Sequence, residues 1–226
     1  MAYVLGYIYA DGTLINADYI RGKYITITSV DKDSIKRLRA YLNSEHVIFT
    51  RKPTHTKGKL QYGLKVGSHK IYDDLLKLGL YPNKSLTISF PDVPQKYLAD
   101  FVRGYFDGDG CIYFEKSTGT QGQKIIKRLR TIFTSGSKNY LVKMEENLKK
   151  IGLENGKIYK SQRAHQLVYP TKDSVTLFIR MYSNTGKNSF FMRKFNKFKE
   201  YFKSKSESID IVEKIIKVHS YGHVVK

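Results

Sequence analysis

The chain has 226 residues and a formal net charge of +20, with 40 Lys plus Arg against 20 Asp plus Glu. Such an excess favours a polyanionic partner, and basic residues spread over the whole chain argue for nucleic acid rather than a membrane-surface helix. A hydrophobic share of 41% excludes general disorder, and the lone Cys111 excludes an intramolecular disulfide. No apolar run approaches the roughly 20 residues that span a bilayer. With no secretory signal pattern at the N-terminus, an intracellular protein is expected, in cytoplasm, nucleoid or organelle matrix.

In chain order, residues 2–10 read as a helix. Residues 24–29 alternate as a strand with Ile25 and Ile27 on one face, and 32–42 are helical by period, capped by Asp31 or Ser29. Residues 49–52 and 60–66 form an expected hairpin around Thr56-Lys57-Gly58-Lys59, before a helix over 70–78 that stops at Gly79. Residues 80–94, with three of the five prolines, are a connection. Beyond it come a helix over 94–106, strands near 111–114 and 129–134, and a helix over 139–151 ending at Gly152. Strands near 157–160 and 166–169 and a helix over 173–182 follow, then basic helices over 189–203 and 209–217.

The order helix, two strands, helix, two strands, helix occurs twice, and the sequence echoes itself in step. VLGYIYADG at 4–12 returns as VRGYFDGDG at 102–110, and Thr28, Ser29 and Lys32 match Thr134, Ser135 and Lys138. Asn83-Lys84-Ser85 has a weaker echo in Gly186-Lys187-Asn188. Three echoes in one order indicate a duplicated unit. The expected architecture is α+β, with pseudo-symmetric αββαββα halves over 1–90 and 91–226 joined through 80–94.

Each repeated helix carries small residues four apart, Gly6 and Ala10 in one, Gly104 and Gly108 in the other. A glycine inside a helix costs about 1 kcal/mol relative to alanine, so the repeated stripe predicts that the two helices pack closely on each other about a pseudo-twofold axis. Both helices then run into Asp-Gly, at Asp11-Gly12 and Asp109-Gly110, where each glycine is expected to take the positive φ of a helix stop. A carboxylate at a helix C-terminus is disfavoured by roughly 0.3–1 kcal/mol. Bringing two together raises their pKa values or recruits a cation, and carbonyl oxygens at the same ends suit a hard ion such as Mg²⁺. One Asp-Gly alone is an ordinary turn; the repetition points to a metal site. A calcium loop over Asp107-Gly108-Asp109-Gly110 fails, because Cys111 stands at the third ligand position and no bidentate glutamate follows.

These paired motifs resemble those of the LAGLIDADG homing endonucleases over essentially the whole chain, and residues 78–85, 90–94 and 101–112 are similar to the segment leading into the second motif. The resemblance implies antiparallel sheets forming a DNA-binding saddle, with the motif helices at the central interface and Asp11 and Asp109 as metal ligands, completed by the carbonyls of Ala10 and Gly108. It implies Mg²⁺, with Mn²⁺ substituting, and catalytic support from Lys84 and Lys187. Asp107, which aligns with Tyr9, is secondary. Ser29 and Ser135 stand near the place of a water-positioning residue, often glutamine in relatives.

The function implied is site-specific double-stranded DNA cleavage by a monomer, at a long pseudo-palindromic or asymmetric target, giving a staggered break. Strand alternation nominates Tyr24, Thr26, Thr28, Arg128 and Arg130 for base contacts, with Lys65 and Gln166 as further candidates. The basic run 194–205 suits phosphates or a solvated helix face. Two rivals use the same scaffold, an intron RNA-splicing maturase and a non-catalytic DNA-binding regulator.

Overall fold

The computed structural model describes residues 1–17, 19, 21–53, 58–186, 189–205 and 209–220. Its backbone divides into two compact units, Met1–Asp109 and Gly110–Lys226.

The first unit contains α1 (Ala2–Asp11), β1 (Gly12–Ala17), β2 (Gly22–Ser29), α2 (Lys32–Tyr41), β3 (Ile48–Arg51), β4 (Gln61–Gly67), α3 (His69–Lys77), a single 3-10 turn (Lys84–Leu86) and α4 (Gln95–Asp109). Its four strands form one antiparallel sheet in the order β1-β2-β4-β3. Alternation builds it as expected: Ile25, Ile27, Leu64 and Val66 are buried, and the sheet meets α2 and α3, which bury Ile35, Leu38, Tyr72 and Leu75. Tyr24, Thr26 and Thr28 alternate with the buried isoleucines and so occupy the opposite, open face. Asp31 caps α2 by accepting from the amides of Asp33 and Ser34, while Ser29 accepts from the amide of Asp31.

The second unit contains β5 (Gly110–Thr118), β6 (Lys124–Ser135), α5 (Lys138–Lys149), β7 (Lys157–Lys160), β8 (His165–Tyr169), α6 (Thr171–Tyr182), α7 (Met192–Lys203) and α8 (Asp210–Ser220). Its sheet order, β5-β6-β8-β7, repeats that of the first unit position for position. Leu129, Thr131 and Phe133 are buried on the face that meets α5 and α6, leaving Arg128 and Arg130 on the open face. Phe195 and Phe198 of α7 pack on Phe178 and Tyr182 of α6. Lys194, inside the basic run, is itself buried, so that run is not uniformly a solvated face. Among the described residues no helix is long and apolar enough to cross a membrane.

Four details depart from the sequence expectations. Strand β1 follows α1 with no intervening turn, and β5 and β6 extend well beyond the expected cores of 111–114 and 129–134. Helix α4 runs three residues past 106, and Gly108 in its last turn packs against Ala10 of α1. Most directly, Gly12 does not take a positive φ; it is extended, at φ −80° and ψ 142°, and Gly110 is likewise absent from the positive-φ glycines. Gly12 is small for a different reason: a β-carbon there would come within 2.6 Å of Ile8, since the strand turns back over the final helical turn. Gly79 and Gly152, the two other expected stops, do adopt φ of +86° and +94°. The tip of the first hairpin lies partly outside the described residues.

Candidate functional site

Helices α1 and α4 both belong to the first unit and pack along their small-residue stripes. A β-carbon at Gly6 would overlap the carbonyl oxygen of Phe101 and lie 2.9 Å from the amide nitrogen of Tyr105. Gly104 meets the carbonyl oxygen of Tyr3 in the same way, with the amide nitrogen of Tyr7 at 3.0 Å. The contacts are reciprocal and made by backbone, which cannot swing aside as a side chain can. This is the physical reason for two glycines inside helices.

The same stripe continues to the helix ends. A β-carbon at Gly108 would overlap the side chain of Ala10 and lie 3.2 Å from Oδ2 of Asp11. The residues immediately before the two aspartates are therefore in contact, and Asp11 reaches across to the end of α4. Asp11 and Asp109, each the last residue of its helix, are both partly exposed.

Lys84 completes the group. Asn83 takes a left-handed conformation, φ 58°, and starts the 3-10 turn that carries Lys84 inward to 7% exposure. Its Nζ donates to the carbonyl oxygen of Tyr9 at 2.9 Å, two residues before Asp11. Burial pulls the Lys84 ammonium below the ordinary lysine value, while the charges of Asp109 and Asp11 oppose that shift. One lysine thus senses both carboxylates, a convergence of residues 11, 84 and 109 that sequence spacing alone only suggested. Lys187, its expected counterpart, lies outside the described residues.

Sequence reasoning missed Tyr7. It is fully buried one helical turn before Asp11, whose charge acts on its phenol. Burial, then the Asp11 charge, pushes the Tyr7 phenol well up, so it stays neutral. The signal available was its position: Tyr7 and Asp11 are four apart and share a helix face. Ser135 accepts from the amide of Ser137, whose hydroxyl caps α5. Asp107 is 1% exposed and accepts from the Tyr3 hydroxyl at 2.8 Å, a buried tie between the helices.

The donor set suits a divalent cation. The touching helix ends each close on an aspartate, where the final turns leave carbonyl oxygens, including those of Ala10 and Gly108, without intrahelical donors. The absence of a side chain at Gly108 leaves room beside Oδ2 of Asp11 that a β-carbon would fill. Among the described residues no group of three or more His, Cys, Asp or Glu side chains forms a metal cage; a site here draws on two carboxylates and backbone oxygens.

The nominated base-contact residues divide between the sheets. Tyr24, Thr26, Thr28 and Lys65 share the open face of the first, where Lys65 Nζ stands 4.0 Å from the Tyr24 ring centroid. Arg128, Arg130 and Gln166 lie on the open face of the second, with Gln166 opposite Thr134.

No protein-family model matches the sequence, and no curated protein matches it. Solved structures do. The homing endonuclease I-WcaI bound to its DNA recognition sequence aligns at a TM-score of 0.62 and 14% identity, over 87% of this chain and 84% of that one. The I-LtrWI LAGLIDADG homing endonuclease bound to target DNA aligns at 0.56 and 14%, over 99% and 97%. I-DmoI in complex with DNA and Mn aligns at 0.53 and 20%, over 82% and 97%. At these identities the likeness is one of fold. With two αββαββα repeats, two four-stranded antiparallel sheets and paired motif helices, the chain has the fold of the LAGLIDADG homing endonucleases.

Proposed function

We propose that the protein is a divalent-metal-dependent, site-specific DNA endonuclease that hydrolyses one phosphodiester in each strand of a long duplex target. The observation that carries this reading is the contact between the ends of α1 and α4, each closed by an aspartate, with buried Lys84 bonded to the Tyr9 carbonyl two residues before Asp11. Support comes from fold relatives described as homing endonucleases bound to DNA, among them complexes with Mn and Ca, and from the net charge of +20.

In this reading the carboxylates of Asp11 and Asp109, with the carbonyls of Ala10 and Gly108, hold the metal, Mg²⁺ or in its place Mn²⁺. Bound there, a divalent ion polarises the phosphodiester, lowers the pKa of water and neutralises the leaving oxygen. Tyr7, buried one helical turn before Asp11 with its phenol pushed well up, stays neutral near the metal ligands. Lys84, anchored on the Tyr9 carbonyl, places a cation beside the charge that builds on phosphorus, and Lys187 does the same for the other strand. The open face of each sheet contacts DNA, the first reading the major groove through Tyr24, Thr26, Thr28 and Lys65, the second through Arg128, Arg130 and Gln166. One monomer serves both strands of the target.

The test is incubation with Mg²⁺ and a randomised duplex library, followed by sequencing of cut ends. The expected result is one recovered site with a fixed stagger, lost on chelation. Tight binding to duplex without any cleavage sinks the enzyme assignment, and preferential binding to structured RNA over duplex DNA favours a splicing role instead.

A further inference from the structure

The four strands of the second sheet hold seven lysines and arginines but only one acid, Glu115. That carboxylate uses both oxygens: Oε2 pairs with Nη2 of Arg130 at 2.9 Å and Oε1 with Nη1 of Arg128 at 3.5 Å. Arg128 stands directly opposite Glu115 across the β5–β6 ladder and Arg130 sits one diagonal step away, opposite Tyr113. The register shifts immediately after Glu115, a bulge of the kind that re-aims a side chain. Both arginines also line an open cleft of about 500 Å³, whose other walls include Lys157, Tyr159 and Lys172.

A lone acid among these cations needs a reason. Exposed ion pairs add little stability, and Glu115, Arg128 and Arg130 are all substantially exposed, at 31%, 57% and 40% of their side chains. For gripping phosphates the carboxylate is a handicap, since it repels the backbone and cancels one of two positive charges. For reading a base the balance reverses. Guanine recognition needs the planar guanidinium in one orientation, so that two donors meet O6 and N7 together. An arginine left alone loses rotamer freedom on binding, whereas one already held by a carboxylate has lost much of it beforehand. The closer and less exposed of the two pairs is that with Arg130.

Resting on the reading of this face as a DNA-contacting surface, we propose that Glu115 is a positioning residue for sequence recognition: it holds Arg130 so that its guanidinium reads one guanine in the major groove rather than a phosphate. Lys157 and Lys172, which the carboxylate does not touch, supply the charge for the neighbouring backbone.

The experiment is repeated selection of bound duplexes from a randomised pool, without divalent metal so that binding alone is read, for the wild type, Glu115→Gln and Arg130→Lys. The wild type is expected to select guanine at one position of the site. Both variants relax that position by about tenfold and leave the remaining positions unchanged. Arg130→Lys keeps the wild-type salt dependence, because its charge is kept, and both variants keep the wild-type melting temperature. If Glu115→Gln instead binds every sequence more tightly with an unchanged preference, the carboxylate only repels phosphates and the proposal is overturned, while the DNA-binding reading stands. A wild type that enriches no sequence overturns both.

Discussion

Helices α1 and α4 begin from one repeated motif yet settle their flanks differently. At the sixth motif position α1 carries Tyr9, whose ring meets Phe101 edge-on at 5.4 Å and whose hydroxyl donates to the Leu78 carbonyl oxygen. The same position of α4 carries Asp107, sealed at 1% exposure and bonded to Tyr3. At the second position Leu5 is replaced by Arg103, which is 4% exposed, pairs with Asp100 at 2.7 Å and lies 5.3 Å from the Tyr3 ring centroid. The glycines and the terminal aspartates, by contrast, match in both helices. Positions where backbone touches backbone admit one solution, while positions that face side chains admit either an aromatic contact or a satisfied charge.

The comparison can be tested most severely at the matching residues. Asp11→Asn and Asp109→Asn should each eliminate double-strand cleavage while leaving duplex binding intact, read by gel assays of cutting and of retardation. Mg²⁺-dependent cleavage retained by both variants would end the metal-site assignment. Lys84→Met should lower kcat about 10²–10³-fold, the usual loss when a group stabilising developing charge is removed. The same variant has a pH signature. Because burial holds the folded pKa of Lys84 below 10.5, the unfolded chain binds more protons between those two values, and stability rises with pH across that window. Lys84→Met should erase this rise, which thermal melts from neutral pH up to 10.5 would register.

Next in size are the glycines. Gly6→Ala and Gly104→Ala should destabilise by similar amounts, about 1–3 kcal/mol each, because each added methyl meets a carbonyl oxygen of the partner helix. A marked inequality in the two melting shifts would break the reciprocity of the helix pair. The differing flanks should yield unequal effects, ending with the smallest. Asp107→Leu leaves the buried Tyr3 hydroxyl without its acceptor and should cost about 1–3 kcal/mol. Tyr9→Phe, which loses a hydroxyl but keeps the ring contact, should cost about 1 kcal/mol.

Much of the fold was legible because its signals are periodic. Alternation in 24–29 and 128–134 assigned which face of each sheet is open, and the echo of residues 4–12 in 102–110 predicted the matched topology of the two sheets. Strand β1 was harder to place, since Gly12-Thr13-Leu14-Ile15 directly follows a helix end and reads as a stop rather than a start. Gly12 shows why: the residue type announced a special position, but whether it served a left-handed turn or a close approach to Ile8 depends on where the chain goes next.

From the sequence alone came the duplicated architecture, the charge that favours a polyanion, and the two aspartates at helix ends, because repetition and periodicity are written locally along the chain. Only the tertiary structure decided that Lys84 turns inward to the Tyr9 carbonyl, that Tyr3 of α1 donates to Asp107 of α4, and that Glu115 couples Arg128 to Arg130. Each of these joins residues through the packing of separate elements, where distance in space is set by how helices and strands close on one another and bears no fixed relation to distance along the chain.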